Sequence, residues 1–433
     1  MPYRGLPEKL IRDAGAQPGD VVEVRAAKGS FRGVLMPHHD FSAGDIVTVK
    51  LSTGYNAGVR VDADSTLELV QRATKHAAQR TLPTRKPGLP PVSLLGTGGT
   101  IASYVDYRTG AVHPATTAEE LTFAVPEIFE VADVRPRVVF QVFSEDMTPQ
   151  HWVQLAKEVA AEFAAGARGV VVPHGTDTLA YTAAALSIML RDLPGPVVLV
   201  GSQRSSDRPS SDAALNLRGA VLAAAQAELG EVVVAMHATA SDAALALHRG
   251  TRVRKMHTSR RDAFQSVNCA PLGEVRDGRV TIAQHARPPG KGPVRVEAEL
   301  EEDVALVQAF PGMRPEHLER AAGKGLVIAG SGLGHVPQRL IPTVAKLTKR
   351  GTLVAMSSHC LNGRANMRVY STGRDLLQAG CIDAGDMLPE TAYIKLMWAL
   401  ARARSREEAI RLFATGLAGE LGERTPLDAF GGA

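Results

Sequence analysis

The chain has 433 residues, of which 45% are hydrophobic and 22% charged, and its formal net charge is +4. This composition excludes an intrinsically disordered protein, and 41 Gly plus 26 Pro without a triplet period exclude collagen. No segment has the roughly 18 consecutive apolar residues of a membrane-spanning helix, and the N-terminus lacks the apolar core of a signal peptide. At roughly 150 residues per domain, the length predicts two or three domains without membrane contact.

The three cysteines, Cys269, Cys360 and Cys381, are odd in number and far apart in the sequence. Their spacing predicts neither a disulfide framework nor a CxxC metal site. Cysteine usage of this kind is typical of a reducing compartment, so we expect a cytoplasmic protein. The weak positive charge permits an RNA partner without arguing for one.

The first 80 residues contain short alternating apolar segments separated by Gly/Asp turns. The segments VVEVR, FRGVLMP and IVTVKL have the period of β-strands, and Tyr55–Gly58 has the composition of a turn. This pattern predicts a small all-β barrel domain over residues 1–80. Four prolines between residues 81 and 91 predict an extended, semi-rigid linker.

From residue 92 onward, short apolar strands alternate with longer helical stretches. Arg137–Phe143 is a predicted strand, and Thr148–Ala165 is a predicted helix with an apolar stripe. Such alternation predicts an α/β fold with parallel sheets and helices on both faces. We predict a large domain over residues 92–285, a linker over 286–294 and a smaller C-terminal α/β domain over 295–433.

Three loops that follow predicted strands are rich in glycine and hydroxyl side chains. They are Gly96–Ile101, Phe143–Met147 and His174–Thr178. Because ligands bind outside the carboxyl ends of parallel strands, we expect these loops to lie together around a site. Small residues there let backbone N–H groups form an oxyanion site. A threonine hydroxyl can act as a nucleophile when a base activates it, and Asp177 with a lysine from elsewhere would supply that base.

Each of these residues also has a structural interpretation. The sequence GTGGT matches neither G-x-G-x-x-G nor the P-loop, so the first loop is a simple turn on this interpretation. Asp177 with Thr176 fits a helix N-cap, Lys255 fits a solvated surface charge, and His174 fits a satisfied core histidine. No metal-ligand spacing accompanies them.

In combination, VSLLGTGGTIAS, VVPHGTDTLAYTAAAL and LVGSQRSSDRPSSDAALNL resemble segments of the L-asparaginase family of threonine amidohydrolases. The segment HRGTRVRKMHTSRRDAFQS resembles the one that carries the lysine of that family. The resemblance extends from about Val92 to about Leu417. It implies a two-domain, asparaginase-like α/β body.

The resemblance implies four catalytic positions. Thr97 matches the nucleophile of the family, Thr176 and Asp177 match its Thr-Asp pair, and Lys255 matches the lysine that contacts the second threonine. A buried lysine can accept a proton when it is neutral, whereas an ion pair with Asp177 would favour the charged form of Lys255. Which threonine attacks first stays open.

The resemblance also implies a set of substrate-binding residues. Ser144 matches the serine that binds the substrate carboxylate, and Glu145 stands where many members of the family have glutamine. Asp177 would hold the α-ammonium group. The family places a tyrosine on the loop after TGGTI, and we expect it to be Tyr107, with Tyr104 as the alternative.

The N-terminal extension distinguishes two functions. A small β-barrel, a Pro-rich linker and an asparaginase-like body resemble the D subunits of archaeal glutamyl-tRNA(Gln) amidotransferases. That resemblance implies a glutaminase that supplies ammonia to a partner, the E subunit of the amidotransferase, which acts on Glu-tRNA(Gln). It also implies a homodimer within a heterotetramer, with ATP and Mg on the partner and no cofactor or metal on this chain. The alternative is a free-standing asparaginase or glutaminase of amino-acid catabolism.

Overall fold

The computed structural model describes most of the chain. The described residues are 3–36, 44–51, 56–72, 88–98, 103–105, 112–114, 125–204 and 211–424. Tyr107 and most of the predicted linker over residues 81–91 lie outside these ranges. Within the ranges, the chain forms an N-terminal antiparallel sheet, a large mixed sheet and a C-terminal parallel sheet.

The N-terminal region contains one helix and five antiparallel strands in the order β4-β3-β2-β1-β5. Their bounds are α1 Gly5–Asp13, β1 Val21–Ala26, β2 Gly29–Leu35, β3 Ile46–Leu51, β4 Asn56–Arg60 and β5 Thr66–Gln71. Alternate valines of β1 and β3 are fully buried, which confirms the period-2 pattern. Helix α1 was not predicted from the sequence. The predicted turn at residues 55–58 is wrong, because residues 56–58 belong to β4.

The middle of the chain supplies thirteen of the strands in the described ranges. They are β6 Pro91–Gly96, β7 Ser103–Val105, β8 Val112–Pro114, β9 Asp133–Val138, β10 Gly169–Pro173, β11 Leu190–Arg191, β12 Val197–Val200, β13 Val232–His237, β14 Ala244–Arg249, β15 Val253–Lys255, β16 Phe264–Ser266, β17 Gly273–Arg276 and β18 Arg279–Ile282. Eight of them form a sheet in the order β18-β17-β14-β13-β12-β10-β6-β9.

This large sheet is mixed rather than wholly parallel. Strands β6, β9, β10, β12 and β13 are parallel, whereas β14, β17 and β18 each pair with the preceding strand of the sheet in antiparallel orientation. The predicted strand at residues 137–143 is wrong over most of its length, because β9 spans Asp133–Val138 and pairs with β6 only up to the Gly96–Val138 pair.

Helices α2 Pro149–Ala164, α3 Leu179–Met189 and α4 Ala213–Gln226 accompany the large sheet. Helix α3 is apolar on all sides and almost fully buried, as expected for a helix enclosed between layers. Helix α4 packs against β10, β12 and β13 through Ala220, Val221 and their neighbours.

The C-terminal region forms a parallel sheet in the order β20-β21-β22-β23. The remaining elements are β19 Arg295–Val296, β20 Val304–Gln308, α5 Pro315–Ala321, β21 Gly325–Gly330, α6 Ile341–Lys349, β22 Leu353–Ser358, α7 Ser371–Gln378, β23 Ile382–Asp383, α8 Pro389–Arg402 and α9 Arg406–Ala414. Helix α8 packs on α3 and on β21, so one continuous apolar core joins the two α/β units.

The predicted linker over residues 286–294 contains neither helix nor strand. Its backbone nevertheless bonds to the large α/β unit: Arg287 N–H donates to Glu231, and Gly290 N–H donates to the carbonyl of Leu193. The three cysteines are free thiols. No helix in the described part of the chain is long and apolar enough to cross a membrane.

Candidate active site

Four neighbouring strands, β12, β10, β6 and β9, run parallel and end at one edge of the large sheet. Each is followed by a segment that carries a serine or threonine. Thr97 follows β6, Ser144 lies beyond β9, Thr176 follows β10 and Ser202 follows β12. The strand order therefore brings together loops that are far apart in the sequence.

Glycines allow these loops to touch. A Cβ on Gly175 would lie 2.7 Å from the Cβ of Ser144, and a Cβ on Gly201 would lie 2.6 Å from the Cγ2 of Thr176. Real Cβ atoms do not approach so closely, so these positions accept only glycine without movement of a neighbour. Glycine is therefore required at these two positions because the loops pack closely against one another.

Lys255 reaches this edge from β15, which pairs with β16 in a separate ribbon. Its Nζ donates to Thr176 Oγ1 at 2.9 Å and to Asp177 Oδ1 at 2.7 Å. The lysine side chain is 14% exposed and that of Asp177 is 69% exposed, so the ion pair joins a half-buried cation to an exposed carboxylate. A solvated surface charge is therefore the wrong interpretation of Lys255.

Asp177 is not a helix N-cap. Helix α3 begins at Leu179 with Thr178 at its N-cap position, and no side chain caps it. The carboxylate of Asp177 instead contacts Lys255. The structural interpretation of the Thr176-Asp177 pair is therefore wrong.

A cavity of about 300 Å³ lies beside this ion pair. Its lining is polar and comes from three loops and the Lys255 segment: Phe143, Ser144, Glu145, Gly175, Thr176, Asp177, Ser202, Gln203, Lys255 and Thr258. Two carboxylates and one ammonium group line it. Such a wall favours a ligand that carries a positive charge of its own.

Thr97 is not among the residues that line the cavity. It is 2% exposed, and its hydroxyl donates to the carbonyl of Pro173 at 2.8 Å. The following Gly98 has φ +101°, and a Cβ there would lie 2.4 Å from the carbonyl oxygen of Val142. The backbone of the first loop is thus fixed against the second loop.

His174 is a satisfied core histidine, as the structural interpretation had it. Its Nδ1 donates to the carbonyl of Gly175, and its Nε2 accepts from the hydroxyl of Thr182, which itself accepts from the indole N–H of Trp152. Burial lowers the pKa of His174 to about 4, against a weaker opposing effect of the Gly175 hydrogen bond. The imidazole is therefore neutral, and its hydrogen bond to Thr182 joins the end of β10 to helix α3.

Two of the predicted substrate-binding residues line the cavity. Ser144 is buried, and its hydroxyl contacts Glu145 Oε2 at 3.5 Å. The backbone carbonyl of Ser144 accepts a hydrogen bond from the hydroxyl of Thr178, which ties the second loop to the third. Tyr107 lies outside the described residues, and Tyr104 belongs to β7.

Five lining residues were not predicted as site residues: Phe143, Gly175, Ser202, Gln203 and Thr258. Ser202 and Gln203 lie in the segment LVGSQRSSD, which carries part of the family resemblance but supplied no predicted site residue. Their position directly after an apolar strand was the available signal. No group of three or more metal-ligating side chains in the described ranges is placed to hold a metal ion.

Family models match three parts of the chain. The model described as Asparaginase, N-terminal, matches residues 91–288, and the Glutaminase/Asparaginase C-terminal domain matches residues 303–413. The GatD N-terminal domain matches residues 16–70. The fold, the cavity and these models together define a protein of the asparaginase/glutaminase class.

Similar proteins refine this class. The D subunit of glutamyl-tRNA(Gln) amidotransferase from Pyrococcus abyssi is 48% identical over 98% of this chain and 99% of its own length. The D subunits from Thermococcus kodakarensis and Methanothermobacter thermautotrophicus are 49% and 46% identical, over 98% and 100% of both chains. The chain therefore belongs to the family of glutamyl-tRNA(Gln) amidotransferase D subunits.

Solved asparaginases resemble a smaller part of the chain. The thermostable L-asparaginase from Thermococcus kodakarensis has a TM-score of 0.69 and 34% identity. L-asparaginase I from Vibrio cholerae has a TM-score of 0.67 and 29% identity. Each covers 77% of this chain, although 99% of the asparaginase itself is matched. The asparaginase fold is confirmed, and the chain extends beyond it.

Proposed function

We propose that this chain is the glutaminase subunit of a tRNA-dependent amidotransferase. It hydrolyses the side-chain amide of glutamine and supplies ammonia for the conversion of Glu-tRNA(Gln) to Gln-tRNA(Gln). The observation that carries the proposal is the extent of similarity. D subunits match the chain from end to end, whereas free-standing asparaginases leave almost a quarter of it unmatched.

The reaction uses a threonine oxygen as the nucleophile. This oxygen attacks the carboxamide carbon, the C–N bond breaks, and the hydroxyl proton passes to the departing nitrogen, which leaves as ammonia. Water then cleaves the resulting ester and releases glutamate. Thr176, whose hydroxyl contacts Lys255, supports a proton path through that lysine and Asp177.

Thr97 is the other candidate nucleophile. Its hydroxyl donates to the carbonyl of Pro173, so an attack by Thr97 requires that hydrogen bond to break. Labelling with a glutamine analogue that has an electrophilic side-chain carbon, followed by mass spectrometry of the peptides, identifies the attacking residue. A label on Thr176 would exclude Thr97 as the first nucleophile, and the reverse result would exclude Thr176.

The remaining lining residues suit the amino-acid end of glutamine. The hydroxyl of Ser144 is a donor for the α-carboxylate, while Glu145 and Asp177 provide negative charge for the α-ammonium group. We also propose Tyr107 as a substrate-binding residue. A cavity of about 300 Å³ has the size of a small amino-acid site.

The ammonia acceptor belongs to a partner. We propose that the E subunit of the amidotransferase binds Glu-tRNA(Gln), ATP and Mg, and that this chain carries no cofactor or metal. We also propose a cytoplasmic assembly in which a homodimer of this chain binds two E subunits as a heterotetramer. The names of the relatives support the partner and the tRNA, since they describe one subunit of a glutamyl-tRNA(Gln) amidotransferase.

Glutamate release from glutamine tests the proposal. The purified chain should hydrolyse glutamine slowly, and the rate should rise when the E subunit, Glu-tRNA(Gln), ATP and Mg are added. Rapid hydrolysis of asparagine by the chain alone, unchanged by these additions, would establish a free-standing asparaginase instead.

Single substitutions test the site. Thr97→Ala, Thr176→Ala, Asp177→Asn and Lys255→Ala should each abolish hydrolysis while the circular dichroism spectrum stays that of the wild type. Thr343→Ala is the matched control, because Thr343 is a buried threonine of α6 that does not line the cavity. Full activity in any of the four variants would remove that residue from the mechanism.

A further inference from the structure

Lys255 lies on a two-stranded ribbon, formed by β15 and β16, that pairs separately from the large sheet. The register of the ribbon places Lys255 opposite Phe264, which is fully buried. A two-stranded ribbon is at most marginally stable by itself, so contacts with other elements must fix its position. The place of the lysine in the site therefore depends on the residues that hold the ribbon.

Arg252 directly precedes β15, and its side chain extends into the C-terminal α/β unit. Its Nη2 donates to Asp386 Oδ2, its Nη1 to the backbone carbonyl of Asp386, and its Nε to the carbonyl of Gly419, each at 2.9 Å. The side chains of Arg252 and Asp386 are 3% and 1% exposed. Because the guanidinium group is planar and bonds through three nitrogen atoms, it fixes the start of β15 relative to the C-terminal unit.

Asn268 holds the other strand of the ribbon at the same place. It lies two residues beyond the end of β16 and is buried. Its Nδ2 donates to the backbone carbonyl of Asp386 at 3.3 Å and to that of Gly363 at 2.8 Å, while its Oδ1 accepts from the N–H of Gly363 at 2.8 Å. The N–H of Val267 donates to the carbonyl of Arg252 at 2.7 Å. Both strands therefore converge on Asp386.

Asp386 is itself held within the C-terminal unit. It lies between β23 and α8, and its Oδ1 accepts from the N–H of Gly422 at 2.9 Å. One carboxylate oxygen thus bonds to the C-terminal unit and the other to the ribbon. In the described part of the chain, the cavity lining includes neither Arg252 nor Asp386. Any effect of this ion pair on the site must therefore pass through the ribbon.

We propose that Asp386 and Arg252 are positioning residues for Lys255. Through the ribbon, their ion pair holds the lysine ammonium group within hydrogen-bond distance of Thr176 Oγ1 and Asp177 Oδ1. The C-terminal unit thereby controls a group of the site without lining the cavity. The expected effect on hydrolysis rests on the proposed glutaminase function, whereas the expected effect on the position of Lys255 does not.

The variant Asp386→Asn tests the proposal. It keeps the size of the side chain and an acceptor for the Gly422 N–H, but it leaves the buried guanidinium of Arg252 without a carboxylate. In the assay with the E subunit, Glu-tRNA(Gln), ATP and Mg, kcat should fall roughly tenfold to a hundredfold, because small displacements of a reacting group cost this much. KM for glutamine should stay within about twofold, since Ser144 and Glu145 lie on another loop.

Reductive methylation reports the position of Lys255 without an activity assay. In the wild type, Lys255 Nζ bonds to two groups and the side chain is 14% exposed, so the amine should react slowly. Lys349 is an exposed lysine of α6 and serves as the internal reference. Mass spectrometry of the peptides should show a severalfold faster reaction of Lys255 relative to Lys349 in Asp386→Asn.

Glu231→Gln is the matched control. Glu231 is also a buried carboxylate, and it pairs with Arg249, an arginine of the same segment as Arg252. It accepts from Arg249 Nε at 2.8 Å, from Arg249 Nη2 at 3.0 Å and from the N–H of Arg287 at 2.8 Å, and none of these groups belongs to the ribbon. This variant should lower the thermal midpoint, as Asp386→Asn does, but leave kcat and the methylation of Lys255 unchanged.

The double variant Arg252→Met/Asp386→Asn separates position from stability. It removes the stranded charge, so its thermal midpoint should lie above that of Asp386→Asn. It also lacks the contact between ribbon and carboxylate, so kcat should stay low and Lys255 should still react fast. This variant carries the test if Asp386→Asn does not fold.

A wild-type kcat, or a wild-type rate of methylation at Lys255, in both variants of Asp386 would overturn the inference. An equal fall of kcat in Glu231→Gln would overturn it as well, because any loss of a buried ion pair would then have the same effect. If the wild-type complex does not hydrolyse glutamine, the proposed function fails and methylation alone decides. A faster reaction of Lys255 in Asp386→Asn then upholds the positioning role, and an unchanged rate overturns it.

Discussion

Lys395 on α8 and Glu420 form an ion pair in which both side chains are fully buried. Lys395 Nζ also donates to the carbonyl of Thr415, and the carboxylate of Glu420 accepts from the backbone N–H groups of Leu417 and Ala418. Both charges are therefore satisfied by groups of the protein itself. Replacing Lys395 with methionine keeps an unbranched chain of similar length and leaves Glu420 as an uncompensated buried carboxylate.

The loss of one partner of a buried ion pair lowers the free energy of unfolding by about 3–5 kcal/mol. We expect Lys395→Met to lie in this range. The double variant Lys395→Met/Glu420→Gln removes the stranded charge and keeps one acceptor oxygen for the turn. It should therefore recover about 2 kcal/mol of the loss, because the cost of an unpaired charge exceeds that of one neutral hydrogen bond.

Urea unfolding measured by tryptophan fluorescence reports this difference, since the buried Trp398 lies one helical turn from Lys395. Lys346→Met is the control, because Lys346 pairs with Glu319 on the surface and its loss should have no measurable effect. A Lys395→Met protein as stable as the wild type would refute the reasoning. So would a double variant less stable than the single one.

The same variant should slow hydrolysis. Ala418 and Gly419, in the turn that Glu420 holds, accept hydrogen bonds from Thr251 Oγ1 and Arg252 Nε, each at 2.9 Å. These two residues lie shortly before Lys255 in the sequence. A looser turn therefore loosens the segment that carries the lysine of the site.

Gly201→Ala should lower kcat/KM for glutamine by about a hundredfold, because the added Cβ would displace Thr176. Gly292→Ala is the control and should leave kcat/KM unchanged, because a Cβ there meets nothing within 4 Å. Equal kcat/KM values for the two variants would contradict the packing argument. Acidification should lower the free energy of unfolding. Burial lowers the pKa of His174 and of His248 from 6.5 to about 4 in the folded protein. The unfolded chain therefore binds protons at these histidines before the folded protein does as the pH falls. Both groups are neutral above pH 6.5, and the stability is lost between pH 6.5 and about 4. At pH 5 the free energy of unfolding should be about 2 kcal/mol lower per histidine. Urea unfolding at a series of pH values measures this change. A free energy of unfolding that stays constant from about pH 7 to pH 5 would contradict the prediction.

The order of strands and helices was predictable because buried parallel strands are encoded as short apolar runs. GVVVP forms β10 with every residue buried, and the predicted helix over 148–165 corresponds to α2 at Pro149–Ala164. Adjacency of the Gly-rich loops followed from the rule that ligands bind at the carboxyl ends of parallel strands. The antiparallel direction of β14 was not predictable from its residues. Five of its six residues are buried, as in a parallel strand, so the alternation typical of a half-exposed antiparallel strand is absent.

The union of the two α/β units was not predictable from the sequence. Helix α8 contacts both α3 and β21, and its contacts with α3 join residues about 200 positions apart. Local periodicity shows which face of a helix is apolar but not which element covers it. The segment over residues 286–294 illustrates the same limit, because its prolines and glycines predicted a spacer and its backbone bonds to the large unit.

The candidate site divides into residues that sequence reveals and residues that only coordinates reveal. Gly175 lies in one of the predicted glycine-rich loops, and its close approach to Ser144 explains why no side chain fits there. Ser202 and Gln203 line the cavity together with Thr176, but the sequence shows only that they follow an apolar strand. Their place in the site depends on the parallel pairing of β12 with β10, which brings the end of β12 against Thr176 and which no local pattern encodes.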